Sequence, residues 1–228
     1  MPYHMCGRYS ETRPAADLAL RFDLVLQGMA PLTLAPRYNI APSQAVPVVV
    51  REGAARMLSL YRWGFLATWE KHDTHGPINV RSETVATNPM FREAIRQQRC
   101  LIPADGFYAW RHDKSGQTPL RFTLNNGSLF AFAGMYEYGL ANADGHREPT
   151  VCILTTRSNA LMAPVHDRMP VILRRRLEDL WLDPEVTDPA VLVPAFEPYS
   201  VEAMRAYEVS RLVNNPQNER PECISPVA

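Results

Sequence analysis

Cys6 directly follows Met5, a second potential start methionine, in the run Met5, Cys6, Gly7, Arg8. A cysteine that becomes the first residue of a chain carries two nucleophiles on adjacent carbons. Its α-amine, with a reference pKa of roughly 7.7 to 8.0, condenses with an aldehyde to a Schiff base near neutral pH. The thiol then adds to the imine carbon and closes a five-membered thiazolidine, and the short tether gives that step a high effective concentration. An internal cysteine has only an amide nitrogen, so an aldehyde draws no more than a reversible thiohemiacetal from its thiol. Residues 1–5 therefore decide whether the chemistry exists, and they are expected to be a removable leader or extension.

Two further groups have the right types and spacing to join such a reaction. In Ile78 to Thr84, Asn79 and Arg81 stand two apart, so an extended backbone aims both at one face. The amide could orient a sugar hydroxyl or aldehyde oxygen while the guanidinium grips a flanking phosphate. His166 and Asp167 follow a small-residue stretch after an expected strand, a setting for a functional loop. His166 is the best acid/base candidate, with Asp167 able to orient it. Taken singly, each feature has a blander reading: a buried apolar cysteine, a turn asparagine beside a surface ion pair, a structural loop histidine.

Tyr38, Trp63, Trp69, Phe107, Tyr108 and Trp110 interleave with these groups. Most are expected in the core, and Trp69, near a charged turn-like segment, is expected at the surface, where it could stack on a base. Cys100 and Cys152 lie in apolar runs that suit core packing, and the four cysteines show neither CxxC spacing nor a paired Cys/His pattern. No metal site, cofactor or disulfide framework is implied, and a reducing compartment is expected.

These groups need a scaffold. Twenty prolines break the chain into short elements without repeats or a low-complexity linker. Strands are predicted over 46–51, 56–63, 99–103, 106–112, 120–124, 129–138, 150–156 and 201–209. Helices are predicted over 16–22, 91–98 and 174–182, the second led by Asn88-Pro89 as cap and first turn. With 228 residues and 46% hydrophobic content the chain can bury a sizeable core, and a single strand-rich α+β domain over 1–228 is expected. Twenty-four cations balance 24 acids, so any nucleic-acid site must be a local patch. All the cations but Lys71 and Lys114 are arginine, which suits bidentate phosphate binding and equally reflects a GC-rich genome. No apolar stretch reaches the roughly 18 residues of a membrane span, so a cytoplasmic protein without membrane contact is expected.

Taken in order, MCGRYS, RYNIAPSQ, YRWGFLATW, INVRSET, RCLIPADGFYAW, HDRMPVIL and SRLVNN resemble the SRAP family of SOS response-associated peptidases or abasic-site processing proteins. The resemblance covers nearly the whole chain and outweighs the separate bland readings of Cys6, Asn79 and His166. It implies a bifurcated sheet closing into a pseudo-barrel, and a positive channel for single-stranded DNA carrying abasic sites. It implies that Cys6 forms a thiazolidine with the opened sugar, that Asn79 positions that sugar, and that His166 transfers protons. Arg8, Arg81 and Arg168 would hold phosphates, with Pro42 and Trp69 lining the channel. A monomer, nucleoid-associated when bound to DNA, is expected.

The chain departs from the family pattern at Ala109, in Gly106-Phe107-Tyr108-Ala109-Trp110, where family members carry a glutamate beside the N-terminal cysteine. Alanine neither donates nor accepts a proton, so both adduct formation and self-cleavage ahead of Cys6 are expected to be impaired. A smaller departure is Ala67, where proline is usual. Three activities therefore compete: covalent capture of abasic sites, a thiol peptidase acting on its own N-terminus through Cys6 and His166, and noncovalent binding of single-stranded DNA.

Overall fold

The computed structural model describes residues 7–25, 34–67, 76–113, 116–141, 145 and 147–227. Cys6, the residues before it and Trp69 lie outside the described residues. The strands are β1 (Tyr9–Glu11), β2 (Arg37–Ile40), β3 (Ala45–Glu52), β4 (Ala55–Trp63), β5 (Asn79–Arg81), β6 (Arg99–Ala104) and β7 (Gly106–Asp113). They continue as β8 (Gly116–Leu124), β9 (Phe130–Ala141), β10 (Arg147–Arg157), β11 (Arg168–Pro170), β12 (Ile172–Leu173) and β13 (Met204–Glu208). The α-helices are α1 (Ala15–Phe22), α2 (Ala94–Gln97) and α3 (Glu178–Leu182).

Pairing of β4, β3, β6, β9 and β10 closes a barrel, because β10 bonds both to β9 and, in parallel, to β4. A second sheet, in the order β13, β8, β7, β1, β2, packs against it. Side-chain alternation explains the two cores. On β9, Phe130 and Phe132 join Val46, Val48 and Trp63 of the barrel and Tyr9, Phe107 and Phe122 of the second sheet. The intervening Ala131, Ala133 and Met135 face outward, where Leu18, Phe22, Ile95 and Trp181 of the helices cover them. Gly134 is required inside the barrel: a methyl group there would lie 2.7 Å from Cys100 Sγ and 2.8 Å from Ile102. Buried Arg99 ties α2 and α3 to β6 by donating to the carbonyls of Ile95, Arg96 and Trp181.

The strand-rich α+β architecture follows the sequence reading, with sharper boundaries. The expected 91–98 helix is regular only over Ala94–Gln97; Asn88 Oδ1 accepts from Met90 N–H at 2.9 Å and caps a turn ahead of it. The 174–182 helix opens as a 3-10 turn over Arg175–Leu177, and the last strand is confined to Met204–Glu208. No helix among the described residues is long and apolar enough to cross a membrane.

Candidate functional site

β10 organises the site by changing partners along its length. Thr150 and Val151 pair with β4, while Ile153, Leu154 and Thr155 pair with Asn79, Val80 and Arg81 of β5. On the opposite edge β10 leaves β9 after Ile153, and Thr155 to Arg157 pair with Pro170 to Arg168 of β11. The strand bearing Asn79 and Arg81 and the strand that follows His166 thus meet across β10 at Thr155, which pairs with both. Val80 is buried in the outer core, so Asn79 and Arg81 share the other face, as their spacing predicted, and Arg81 is exposed.

Thr155 is the knot between these strands. Its carbonyl accepts from Ser82 N–H at 2.9 Å and from Arg168 Nη2 at 2.7 Å, and its hydroxyl donates to Val80 O at 3.0 Å. The Arg168 guanidinium also meets Glu83 in a bidentate pair, at 2.5 and 2.8 Å. Those donors hold the carboxyl of Glu83 below the usual carboxylate range. The family resemblance gives Arg168 to phosphate; in the structure Glu83 and Thr155 take most of its Nη donors, and its Nε is buried without a hydrogen-bond partner. A compact turn over residues 159–165, nucleated by Asn159 Oδ1 accepting from Leu161 and Met162 N–H, presents His166. His166 Nδ1 stands 3.0 Å from Arg168 N and 2.8 Å from Asp167 Oδ1.

The N-terminal strand approaches β5 through aromatic packing. Tyr9 meets Trp63 edge-on at 5.3 Å, and the Trp63 indole N–H donates at 3.0 Å to the carbonyl of Ile78, the residue before Asn79. β1 is locked from below by buried polar groups: Ser10 donates to Asp105 at 2.6 Å, and Arg121 closes an ion pair with the same carboxylate at 2.7 Å. Gly106 leaves room for that guanidinium, since a Cβ there would lie 2.6 Å from Arg121 Nε. The pairing of Tyr9 with Phe107 and Ser10 with Gly106, continued by Tyr108 N–H donating to Arg8 O at 3.0 Å, sets Gly7 opposite Ala109. Ala109 is 6% exposed on the same face as Phe107, so the departure from the family pattern lies one residue beyond Arg8 in the register.

Arg8 is engaged with the chain itself. Its guanidinium donates to Asn39 Oδ1 at 2.7 Å, Val213 O at 2.8 Å and Asn214 O at 3.3 Å, and burial lowers its pKa from the usual arginine value. Fully buried Asn39 in turn donates to the carbonyls of Val213, Asn215 and Asn218, so the C-terminal strap is fastened to β1 and β2. Pro42 occupies the second position of a tight turn from Ala41 to Gln44 whose third residue, Ser43, has φ of 70°.

The remaining described cysteines are poor nucleophiles. Cys100 and Cys152 are buried and burial pushes both thiols up, so neither is a thiolate near neutral pH. A cavity of about 560 Å³ lies on the far side of Ser82 and Glu83, lined by Val85, Val193 and Phe196, and contains none of the expected reacting groups. Sequence reasoning missed Glu83, Thr155, Asn39 and Asp105, although Glu83, Asn39 and Asp105 lie within the motifs INVRSET, RYNIAPSQ and RCLIPADGFYAW.

Residues 5–216 match the family described as SOS response associated peptidase (SRAP). Among curated proteins, the abasic site processing protein YoqW of Bacillus subtilis (strain 168) is 40% identical over 223 residues, spanning 96% of this chain and 99% of that protein. The abasic site processing protein YoaM of the same organism is 39% identical over 223 residues, spanning 96% and 97%. A crystal structure of a protein from Bacteroides thetaiotaomicron shares the fold with a TM-score of 0.86, covering 98% of this chain and 100% of that one at 24% identity.

Proposed function

The chain belongs to the SOS response associated peptidase (SRAP) family, and from that premise we propose that it processes abasic sites in DNA, capturing them covalently in single-stranded DNA through Cys6. The observation that carries this reading is the match that begins at Met5, beside Cys6, and runs on through both strands flanking β10. In the proposed reaction the freed α-amine of Cys6 attacks the aldehyde of the opened deoxyribose and expels water to give an imine. The thiol sulfur then bonds to the imine carbon and its proton passes to the nitrogen, completing the thiazolidine. Asn79 orients the sugar oxygen, and His166 supplies and removes protons. Arg81, exposed beside Asn79, binds a flanking phosphate, and Arg8 and Arg168 offer it only those donors left over from their internal contacts. Pro42 and Trp69 border the strand's path.

Two features restrain the chain as it stands. The amine of Cys6 is an amide until residues 1–5 are removed, and Ala109 supplies no carboxyl to assist. Those same features favour a second reading for the untrimmed chain, noncovalent binding of single-stranded DNA with a steep salt dependence. One denaturing gel separates them: the full chain, a version initiated at Met5 and its Cys6→Ala variant, each incubated with abasic single-stranded DNA. Covalent capture predicts an adduct with the Met5-initiated protein alone; no adduct from any version, with a retarded band from all of them on a parallel native gel, supports the noncovalent reading. Catalytic cleavage of added peptides, with abasic DNA ignored, would instead favour a peptidase.

A further inference from the structure

We infer that Glu83 is a positioning residue for His166, acting through Arg168 to keep the imidazole in the tautomer whose proton sits on Nε2. The inference rests on the proposed proton-transfer role of His166. It starts from a conflict at one atom: Nδ1 lies 3.0 Å from the backbone N–H of Arg168 and 2.8 Å from the carboxylate of Asp167. A neutral imidazole nitrogen offers either a lone pair or a proton. If Nδ1 accepts from Arg168, the proton is on Nε2; if Nδ1 donates to Asp167, Nε2 is bare. The two partners therefore select opposite tautomers, and with them an acid or a base at the other end of the ring.

The surroundings weight this competition. Asp167 is 80% exposed, so water competes for its carboxylate and its bond to the imidazole gains little. The Arg168 N–H belongs to a buried residue whose side chain is held at three points, two on Glu83 and one on the Thr155 carbonyl. Arg168 pairs with Arg157 at the last position of the ladder, and Asp167 O accepts from Ser158 N–H at 3.0 Å, so at this strand end the side-chain anchor adds to the backbone bonds in aiming the contested N–H. Glu83 lies two residues beyond Arg81, at the start of the turn that follows β5. Its ion pair therefore also ties the strand carrying Asn79 to the loop carrying His166. Without the carboxylate, the Arg168 side chain loses its outer anchor, its N–H is held less firmly against Nδ1, and Asp167 gains the proton that Nδ1 then carries.

The test reads the tautomer directly. With ¹⁵N-labelled histidine at alkaline pH, where imidazoles are neutral, long-range ¹H–¹⁵N spectra of the DNA-free chain should show His166 protonated on Nε2. In Glu83→Gln the population should move towards Nδ1–H, and in Glu83→Gln combined with Asp167→Ala it should return to Nε2–H, because the competing acceptor is gone. Glu83→Asp, which keeps the charge with a shorter reach, should be intermediate and serves if the Gln variant does not fold. In the Met5-initiated protein, Glu83→Gln should slow adduct formation at saturating abasic DNA about tenfold while DNA affinity holds or rises, since a negative charge has been removed. An unchanged tautomer in both Glu83→Gln and Glu83→Asp, or a Gln-variant shift that Asp167→Ala does not reverse, overturns the inference. If the tautomers respond as expected but no version forms an adduct, the capture reaction fails and the positioning role stands.

Discussion

A carboxyl placed at position 109 should accelerate adduct formation. The structure supplies its own calibration. Glu11, 1% exposed on neighbouring β1, has its carboxyl raised by burial to about 7, even though it accepts a backbone bond from Arg13 at 2.9 Å. Ala109, 6% exposed on the apolar face that also holds Phe107, offers a comparable environment. The new carboxyl of Ala109→Glu should therefore titrate near neutrality and be available as a proton donor, as buried catalytic carboxyls are. General acid catalysis of this kind is worth roughly 100-fold or more. The assay is single-turnover adduct formation on denaturing gels, with Met5-initiated parent and variant in excess over abasic oligonucleotide, across a pH series. The variant should be faster by about 100-fold below neutrality, and the gain should fade as pH rises through the raised pKa. Its stability should carry the matching signature. Relative to the parent it should lose about 3 kcal/mol as pH rises from the ordinary carboxylate pKa of roughly 4.3 towards 7, and little more beyond. A variant that folds, shows that stability profile and reacts no faster than the parent at any pH would refute the assignment of position 109.

Glu11 itself should behave as the mirror case. Its folded pKa lies above its unfolded value, so the stability it contributes is full below about 4.5 and is lost as pH rises to about 7. Glu11→Gln should consequently be near neutral in acid and stabilising by up to about 3 kcal/mol above pH 7, as read by urea unfolding at both ends; equal effects at the two ends would contradict a raised pKa. Asn79→Ala should slow adduct formation at saturating DNA more than it weakens binding, and equal losses in the two assays would argue against an orienting role. Arg81→Ala should weaken binding across sequences and reduce the salt slope by about one, an outcome that filter binding at several salt concentrations can deny. Arg8→Ala strips donors from Asn39 Oδ1 and Val213 O and should cost about 1–3 kcal/mol of folding stability besides any loss of DNA affinity. Lower affinity with unchanged unfolding would free Arg8 from the strap.

The long strands were legible as apolar runs rich in β-branched and aromatic residues: β3, β4 and β9 follow the predicted segments closely. β1, β2, β5 and β11 escaped prediction because three or four residues rich in Arg, Asn and Ser carry no period, and their pairing is dictated by distant partners. The same limit governs the site. Asn79 and Arg81 could be placed on one face from spacing alone, since that is a local property of extended backbone. Glu83, in the same INVRSET segment, gave no sign of its role, because its partner Arg168 is 85 residues away and only folding brings them together.

That partnership changes how charge near the site must be understood. By type, Arg8, Arg81 and Arg168 are equivalent cations, and the family resemblance gives all three to phosphate. By contact they divide. Arg8 has three acceptors from its own chain, and Arg168 has Glu83 and the Thr155 carbonyl, whereas Arg81 is exposed next to Asn79. A guanidinium already bonded in a partly buried network gains less from a phosphate, because each new contact competes with one it has. It is also better fixed, so whatever donor remains is aimed in advance. Substitution of Arg81 should therefore act mainly on affinity and its salt dependence, whereas substitution of Arg8 or Arg168 should act first on the geometry of the N-terminal strand and of His166. Affinity and rate, measured separately, should sort the three arginines by their internal partners rather than by their charge.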